Sequence, residues 1–193
     1  MSNQRIAEQS LSRAERQALA NKRTAISVFQ ISWIMVFVCL IVVNLQIRGN
    51  FPTWPPAGVD GLERILPTVA TAGLLASVFF AQRGLNAIRK EDRPVFLSSW
   101  RAAIVLGAAF VLIMAFEWVS VQFSGQFSDI FRVMIAYHAI HALVIGYMMV
   151  NVLNKGRAGA YNAVDNWGVE GAAKLWYFVV VAWILFYVVL YII

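Results

Sequence analysis

Two histidines, one carboxylate and three arginines are the side chains within the apolar stretches of this chain whose chemistry goes beyond packing. His138 and His141 are three residues apart, which puts them on one helix face with Met134 and Ile145. That spacing admits three readings: a haem ligand pair, a proton relay, or a polar cluster that ties helices together by hydrogen bonds. Two axial ligands to one iron must lie on opposite sides of the porphyrin, normally on two helices. The chain has only these two histidines, so a haem would need a ligand from another subunit, and the polar cluster is the preferred reading. Glu117, followed by Trp118, could pair with a partner in the bundle, accept hydrogen bonds from a loop, or titrate in a proton path. Of these we favour a structural pair. Arg83, Arg101 and Arg132 stand near the ends of apolar runs, where long side chains reach back to water. Cys39 is the sole cysteine, with no disulfide partner and no CxxC companion for zinc. We find no phosphate-binding loop, nucleophile–base pair or metal-ligand cluster, which points to a subunit with no catalytic centre of its own.

The elements that must position these residues are set by composition. Hydrophobic residues make up 60% of the 193 and charged residues 13%. A soluble fold of this size has too little interior to hide so much apolar surface. Five runs are long enough to cross a bilayer as helices: Ala25–Gln46, Leu66–Ile88, Ser98–Val121, Ile130–Leu153 and Leu175–Ile193. The expected fold class is therefore all-α, an integral membrane bundle of five transmembrane helices. Residues 1–24 form a polar N-terminal segment and residues 25–193 the five-helix domain. The first apolar run follows a long polar stretch, exceeds the length of a signal-peptide core and has no small-residue cleavage site. Ser2–Arg23 mixes charge with Ile6, Leu11 and Leu19, and reads equally as a surface-lying amphipathic helix or as a frayed tail.

Net charge is +6, but the distribution of the basic residues speaks for membrane topology and not for a nucleic-acid partner. Arg5, Arg13, Arg16, Lys22, Arg23, Arg83, Arg89, Lys90, Arg93, Arg101, Lys155, Arg157 and Lys174 fall on one side of the five-span topology. Arg48, Arg64 and Arg132 fall on the other. The positive side faces the cytoplasm, so the N-terminus is expected inside and the C-terminus outside, in a bacterial inner membrane. The loop after the first span carries Phe51 and the run Trp54-Pro55-Pro56-Ala57-Gly58. Its prolines oppose a regular helix, and its aromatic rings suit the headgroup level. Small residues line two of the spans: Gly73, Ser77 and Ala81 in the second, Ala103, Gly107 and Ala108 in the third. Such faces permit close contact with another helix, a partner subunit or lipid.

Taken in order, several stretches resemble subunit III of the haem–copper terminal oxidases. Trp54-Pro55-Pro56-Ala57-Gly58 is similar to that family's WPPxG loop, and Pro67 with Thr71, Ala72, Leu74, Leu75, Ala76 and Ser77 to the run that follows it. Leu106-Gly107 through Glu117-Trp118 resembles its LG…E-aromatic helix, and His138 and His141 its HGxH pair. Glu170, Ala172, Ala173, Trp176, Phe178, Val179, Trp183 and Tyr191 resemble its closing segment. The similarity runs from about Ala25 to Ile193 and suits a five-helix form without the first two helices of larger members. There are departures: Trp33 follows Ile31-Ser32 where the family often has an acid, the motif glycine is Ala139, and the closing His and Asp are Tyr177 and Val180. A proton-antenna or other polar role at those positions is therefore not expected.

The resemblance implies an accessory chain with no haem and no copper, both of which belong to the partner catalytic subunit. It implies packing against that subunit I, with subunit II in the same complex, phospholipids held in a cleft between helix groups, and support of proton uptake. Gly73, Ser77, Gly107, Trp176 and Trp183 are the residues expected to serve lipid or helix packing. The competing readings are an accessory chain of a nitric oxide reductase or other respiratory complex, a cytochrome b-type anchor using the histidines, and, last, a small transporter. The spans have no mid-helix proline of the kind that breaks transporter helices.

Overall fold

The computed structural model describes residues 11–59, 61–122 and 125–193. It is all-helical over the described residues: α1 (Arg13–Arg48), α2 (Ile65–Ile88), α3 (Arg93–Ser120), α4 (Gln126–Arg157) and α5 (Trp167–Tyr187), the last continued by a π-helical turn, Val188–Ile192. All five are long and apolar enough to cross a membrane. At the side-chain level the driving force inside such a bundle is packing and hydrogen bonding rather than escape from water, because the surrounding lipid is itself apolar.

Each helix extends past its apolar run. The polar stretch is helical from Arg13 onward and passes into the first span without a break, while residues 1–10, including Ile6, lie outside the described residues. Ser12 caps it: its hydroxyl accepts from the Glu15 amide at 3.3 Å and the Glu15 carboxylate accepts from the Ser12 amide at 2.8 Å, a reciprocal pair at the helix start. At about 1.5 Å per residue the 36 residues of α1 reach about 54 Å, well beyond a hydrocarbon core of about 30 Å.

Helices α2, α3, α4 and α5 form the bundle proper. α2 lies closely along α3, α3 along α4, α4 along α5, and α5 returns to α2. Trp100, Trp183, Phe96, Phe131, Phe186, Leu74, Met134 and Met149 fill its centre. α1 lies outside this set, against α5 and α4, and buries only Phe37 and Asn44. The helices alternate in direction, so the start of α1, the α2–α3 turn and the α4–α5 connection share one end, here called the basic end. The α1–α2 and α3–α4 loops share the far end. At the basic end Asp92 caps α3 through the Val95 amide, at 3.2 Å. Arg93 donates from Nε to the Gly156 carbonyl at 3.1 Å and from its guanidinium to the Arg157 carbonyl, satisfying the last carbonyls of α4. At the far end the loop after α1 carries a cis Trp54–Pro55 bond, and the Trp54 ring packs edge-on against Phe127 of α4 at 5.0 Å and beside Phe51 at 5.8 Å.

Candidate functional site

Among the described residues, three buried indoles make interior hydrogen bonds that join helices; the first, Trp100 of α3, donates from Nε1 to the Met149 carbonyl of α4 at 2.9 Å. Trp176 of α5 donates from Nε1 to the Ser77 hydroxyl of α2 at 2.9 Å, and Trp183, two turns on, donates to the Thr71 hydroxyl at 2.8 Å. Ser77 and Thr71 in turn donate to their own helix at the Leu74 and Pro67 carbonyls. Gly107 on α3 makes room for the Trp176 ring: a Cβ there would stand 2.5 Å from it. Four of the five expected packing residues thus meet inside the bundle. Gly73 does not join them, since a Cβ at that position would meet nothing within 4 Å.

The histidines sit in an aromatic box. His138, 2% exposed, faces Trp183 at 5.3 Å, Phe110 at 5.9 Å, Phe37 at 6.1 Å and Phe186 at 6.2 Å. Neither of its ring nitrogens has a hydrogen-bond partner among the described residues. His141 places Nδ1 2.7 Å from the Tyr137 carbonyl, one turn back on its own helix, and meets Trp33 edge-on at 4.1 Å and Phe37 at 5.1 Å. The pair holds α1 against α4 and α5 by ring contacts. Hydrogen bonds from either imidazole to another helix are not among its contacts. Trp33, which follows Ile31-Ser32 on α1, is the residue that lies on His141.

Glu117 is remote from this box. It lies three residues from the far end of α3, about 4.5 Å along the axis, whereas His138 lies twelve residues, about 18 Å, from the far end of α4. Its side chain is buried, at 5% exposure, and lines a cavity of about 680 Å³ with Glu63, Leu62, Ser120 and Phe127. No side-chain hydrogen bond or ion pair reaches it among the described residues. Arg132, near the start of α4, spans to the end of α3: its guanidinium donates to the Val121 carbonyl and lies over the Trp118 ring, 5.2 Å from the centroid. Among the described residues no group of three or more His, Cys, Asp or Glu side chains could hold a metal ion.

The strongest charge cluster is at the basic end. Glu170, in the first turn of α5, accepts from Arg23 of α1 at 3.1 Å, from Lys174 one turn on at 3.0 Å, and lies 3.7 Å from Arg89 at the end of α2. One carboxylate therefore gathers three helices. Only its i,i+4 relation to Lys174 is visible in the sequence. Gln30 adds a second tie from α1, donating to the Lys174 carbonyl at 3.2 Å.

A family model described as cytochrome c oxidase subunit III matches residues 7–193, nearly the whole chain. The chain belongs to the cytochrome c oxidase subunit III family. It is 31% identical to "Cytochrome c oxidase subunit 3" of Thermostichus vulcanus, over 86% of this chain and 84% of that one. It is 29% identical to the protein of the same name from Synechocystis, over 81% and 69%. With that of Cyprinus carpio it shares 28% identity over 72% of this chain, and the match spans 54% of the longer relative. Subunit III is an accessory subunit of the haem–copper oxidases and carries no redox cofactor itself. The geometry suits that role: indole–hydroxyl ties, ring contacts and a cationic hub are devices that hold helices. In this subunit III the closing motif's Tyr177 donates to Gln82 Oε1 of α2 at 2.7 Å, so the residue standing in place of the family's histidine is itself an interhelical tie.

Proposed function

We propose that this subunit III docks on the catalytic subunit I of its oxidase through α1, with subunit II in the same complex, in a bacterial inner membrane with the basic end in the cytoplasm. The observation that carries this reading is the outer face of α1. Val28, Ile31, Met35, Val38, Val42 and Leu45 are all exposed and recur at alternating spacings of three and four, the seam a second helix packs into. A helix that buries two side chains in its own bundle has most of its surface left for a partner. Thirteen basic residues on one side of the topology support the cytoplasmic placement, and the long coverage of the Thermostichus and Synechocystis relatives supports the bacterial one. An apolar groove of about 320 Å³ between α3 and α4, bordered by Ala108, Leu143, Gly146 and Tyr147, is of a size and character to take a lipid chain. It supports the reading that the subunit holds phospholipid while sustaining proton uptake by its partner.

Affinity purification of the tagged chain from solubilised membranes tests the docking. The expected companion is a haem–copper catalytic subunit, lost when Ile31→Trp and Met35→Trp are combined while the chain itself still inserts. A particle with a nitric oxide reductase catalytic chain, or with no larger membrane chain at all, would sink the proposal. Turnover of the oxidase with and without the subunit, followed over many cycles, tests the proton-uptake role; equal persistence would count against it.

A further inference from the structure

We propose that the basic end of α2 binds the phosphate of an anionic membrane phospholipid through Arg83, Asn86 and Lys90. Arg83 and Asn86 stand at i and i+3 on one face of α2, and Lys90, in the turn just past its end, lines the same cavity. All three are exposed, and with Gln82 and Asp92 they line a cavity of about 530 Å³ between the end of α2 and the start of α3. These three offer donors only. Arg83 and Lys90 have no acceptor among the described residues, and they carry hydrogens but no lone pair to accept with. Asn86 could present either end of its amide, but the choice is made for it. Tyr177 donates to Gln82 Oε1, which leaves the Gln82 amide to donate to Asn86 Oδ1 at 3.1 Å. The Asn86 oxygen is thereby occupied and its NH₂ is free. The one carboxylate on the cavity, Asp92, is engaged by the Val95 amide as the cap of α3, whose N-terminus adds positive partial charge. Three free donor groups, two of them cations, call for an anion with several acceptor oxygens.

The depth of these residues selects a lipid. Arg83 lies five residues, about 7.5 Å, inside the end of α2, a depth from which its long side chain reaches back to the headgroup level, where lipid phosphates lie. One turn deeper, on the same helix face and the same cavity wall, Phe79 is 63% exposed. From Phe79 through Arg83 to Lys90, just past the end of α2, the cavity wall passes from an aromatic ring to cations, as a phospholipid passes from chain to headgroup. The inference deepens the proposed lipid-holding role and rests on it.

The test uses the purified oxidase containing this chain, stripped of loosely held lipid and placed in nanodiscs of phosphatidylglycerol or phosphatidylcholine, with bound lipid counted by native mass spectrometry. Wild type is expected to keep one more phosphatidylglycerol than the Arg83→Gln/Lys90→Gln variant, whose apparent affinity falls about tenfold. Arg83→Lys with Lys90→Arg restores retention. Tyr177→Phe, which removes the α5–α2 tie and frees the Gln82–Asn86 pair to turn, weakens retention a few-fold, and Lys155→Gln on α4 leaves it unchanged. Equal retention in wild type and the double Gln variant, equal retention of the two lipids, or displacement by millimolar inorganic phosphate would overturn the site. So would loss of the catalytic subunit from the double Gln variant with its lipid count intact, which would mean that an acidic side chain of the partner is the occupant. A wild-type complex that keeps no phospholipid defeats the lipid-holding role together with the site, whereas indifference to the variants defeats the site alone.

Discussion

The Trp176 ring occupies the volume that a side chain on Gly107 would need: the tip carbon of the indole, Cη2, lies 2.5 Å from where a Cβ would stand. The ring has little freedom to withdraw, because it is buried and its Nε1 is held by Ser77 on a third helix. Overpacking of this kind costs about 1–3 kcal/mol. Gly107→Ala is expected to lower the stability of the subunit by that amount, read as the denaturant midpoint for its loss from the oxidase. Gly146→Ala is the matched control. A Cβ there meets nothing within 4 Å, so its midpoint is expected to stay within about 0.5 kcal/mol of wild type.

The two indole–hydroxyl bonds predict non-additivity. Ser77→Ala leaves the buried Trp176 N–H unpaired, at about 1–3 kcal/mol, and Trp176→Phe leaves the Ser77 hydroxyl bonded to the Leu74 carbonyl alone, while the double substitution removes both partners. The double variant is expected to be less destabilised than the sum of the singles, by about 1 kcal/mol in a double-mutant cycle. Additive losses would show that the bond contributes nothing beyond the packing of the ring.

These contacts show where reading the sequence stops. The five spans were legible because twenty apolar residues in a row have few alternatives to a membrane helix. Ser77, Gly107, Trp176 and Trp183 could be picked as packing residues from their size and type. The pairing of Trp176 with Ser77 joins residues 99 apart and depends on how α5 is rotated against α2, which one sequence does not specify. Gly73 and Gly107 look alike in sequence, yet only Gly107 has a ring against it. The polar residues after Ser12 gave no membrane signal, and their helix follows from the cap and from continuity with the span. The Glu170 hub was half legible: Lys174 is one turn away, but Arg23 and Arg89 arrive from helices whose relative placement is a tertiary fact.

That hub fixes an order of sensitivities. Glu170→Gln leaves three cations at one point without their common counter-charge. Because those cations remain 23–42% exposed, water screens part of the loss, and about 1–3 kcal/mol is expected where a fully buried pair would lose more. Arg23→Gln should cost less, since Lys174 and Arg89 still serve the carboxylate. It should act chiefly on α1, detected as faster hydrogen exchange in residues 13–30. Equal effects of the two substitutions would mean that the carboxylate serves Arg23 alone.

His138 offers the sharpest separation of a structural from a chemical role. An imidazole whose two nitrogens have no partner among the described residues, inside a ring of Phe37, Phe110, Trp183 and Phe186, carries an unmet polar cost of about 1–3 kcal/mol. A phenyl ring in its place adds a little volume but removes that cost. His138→Phe is therefore expected to leave the stability of the subunit equal to or above wild type, measured by the same midpoint. His141→Leu is expected to lower it by about 1 kcal/mol, through loss of the Nδ1 bond to Tyr137 and of the edge contact with Trp33. In the assembled oxidase His138→Phe should leave the haem spectrum and the turnover unchanged, because the imidazole's neighbours offer a proton no path out of the ring box. A variant that folds and assembles but pumps fewer protons per electron would show that the orphaned nitrogens are kept for transfer, and the proton-relay reading would replace the packing one.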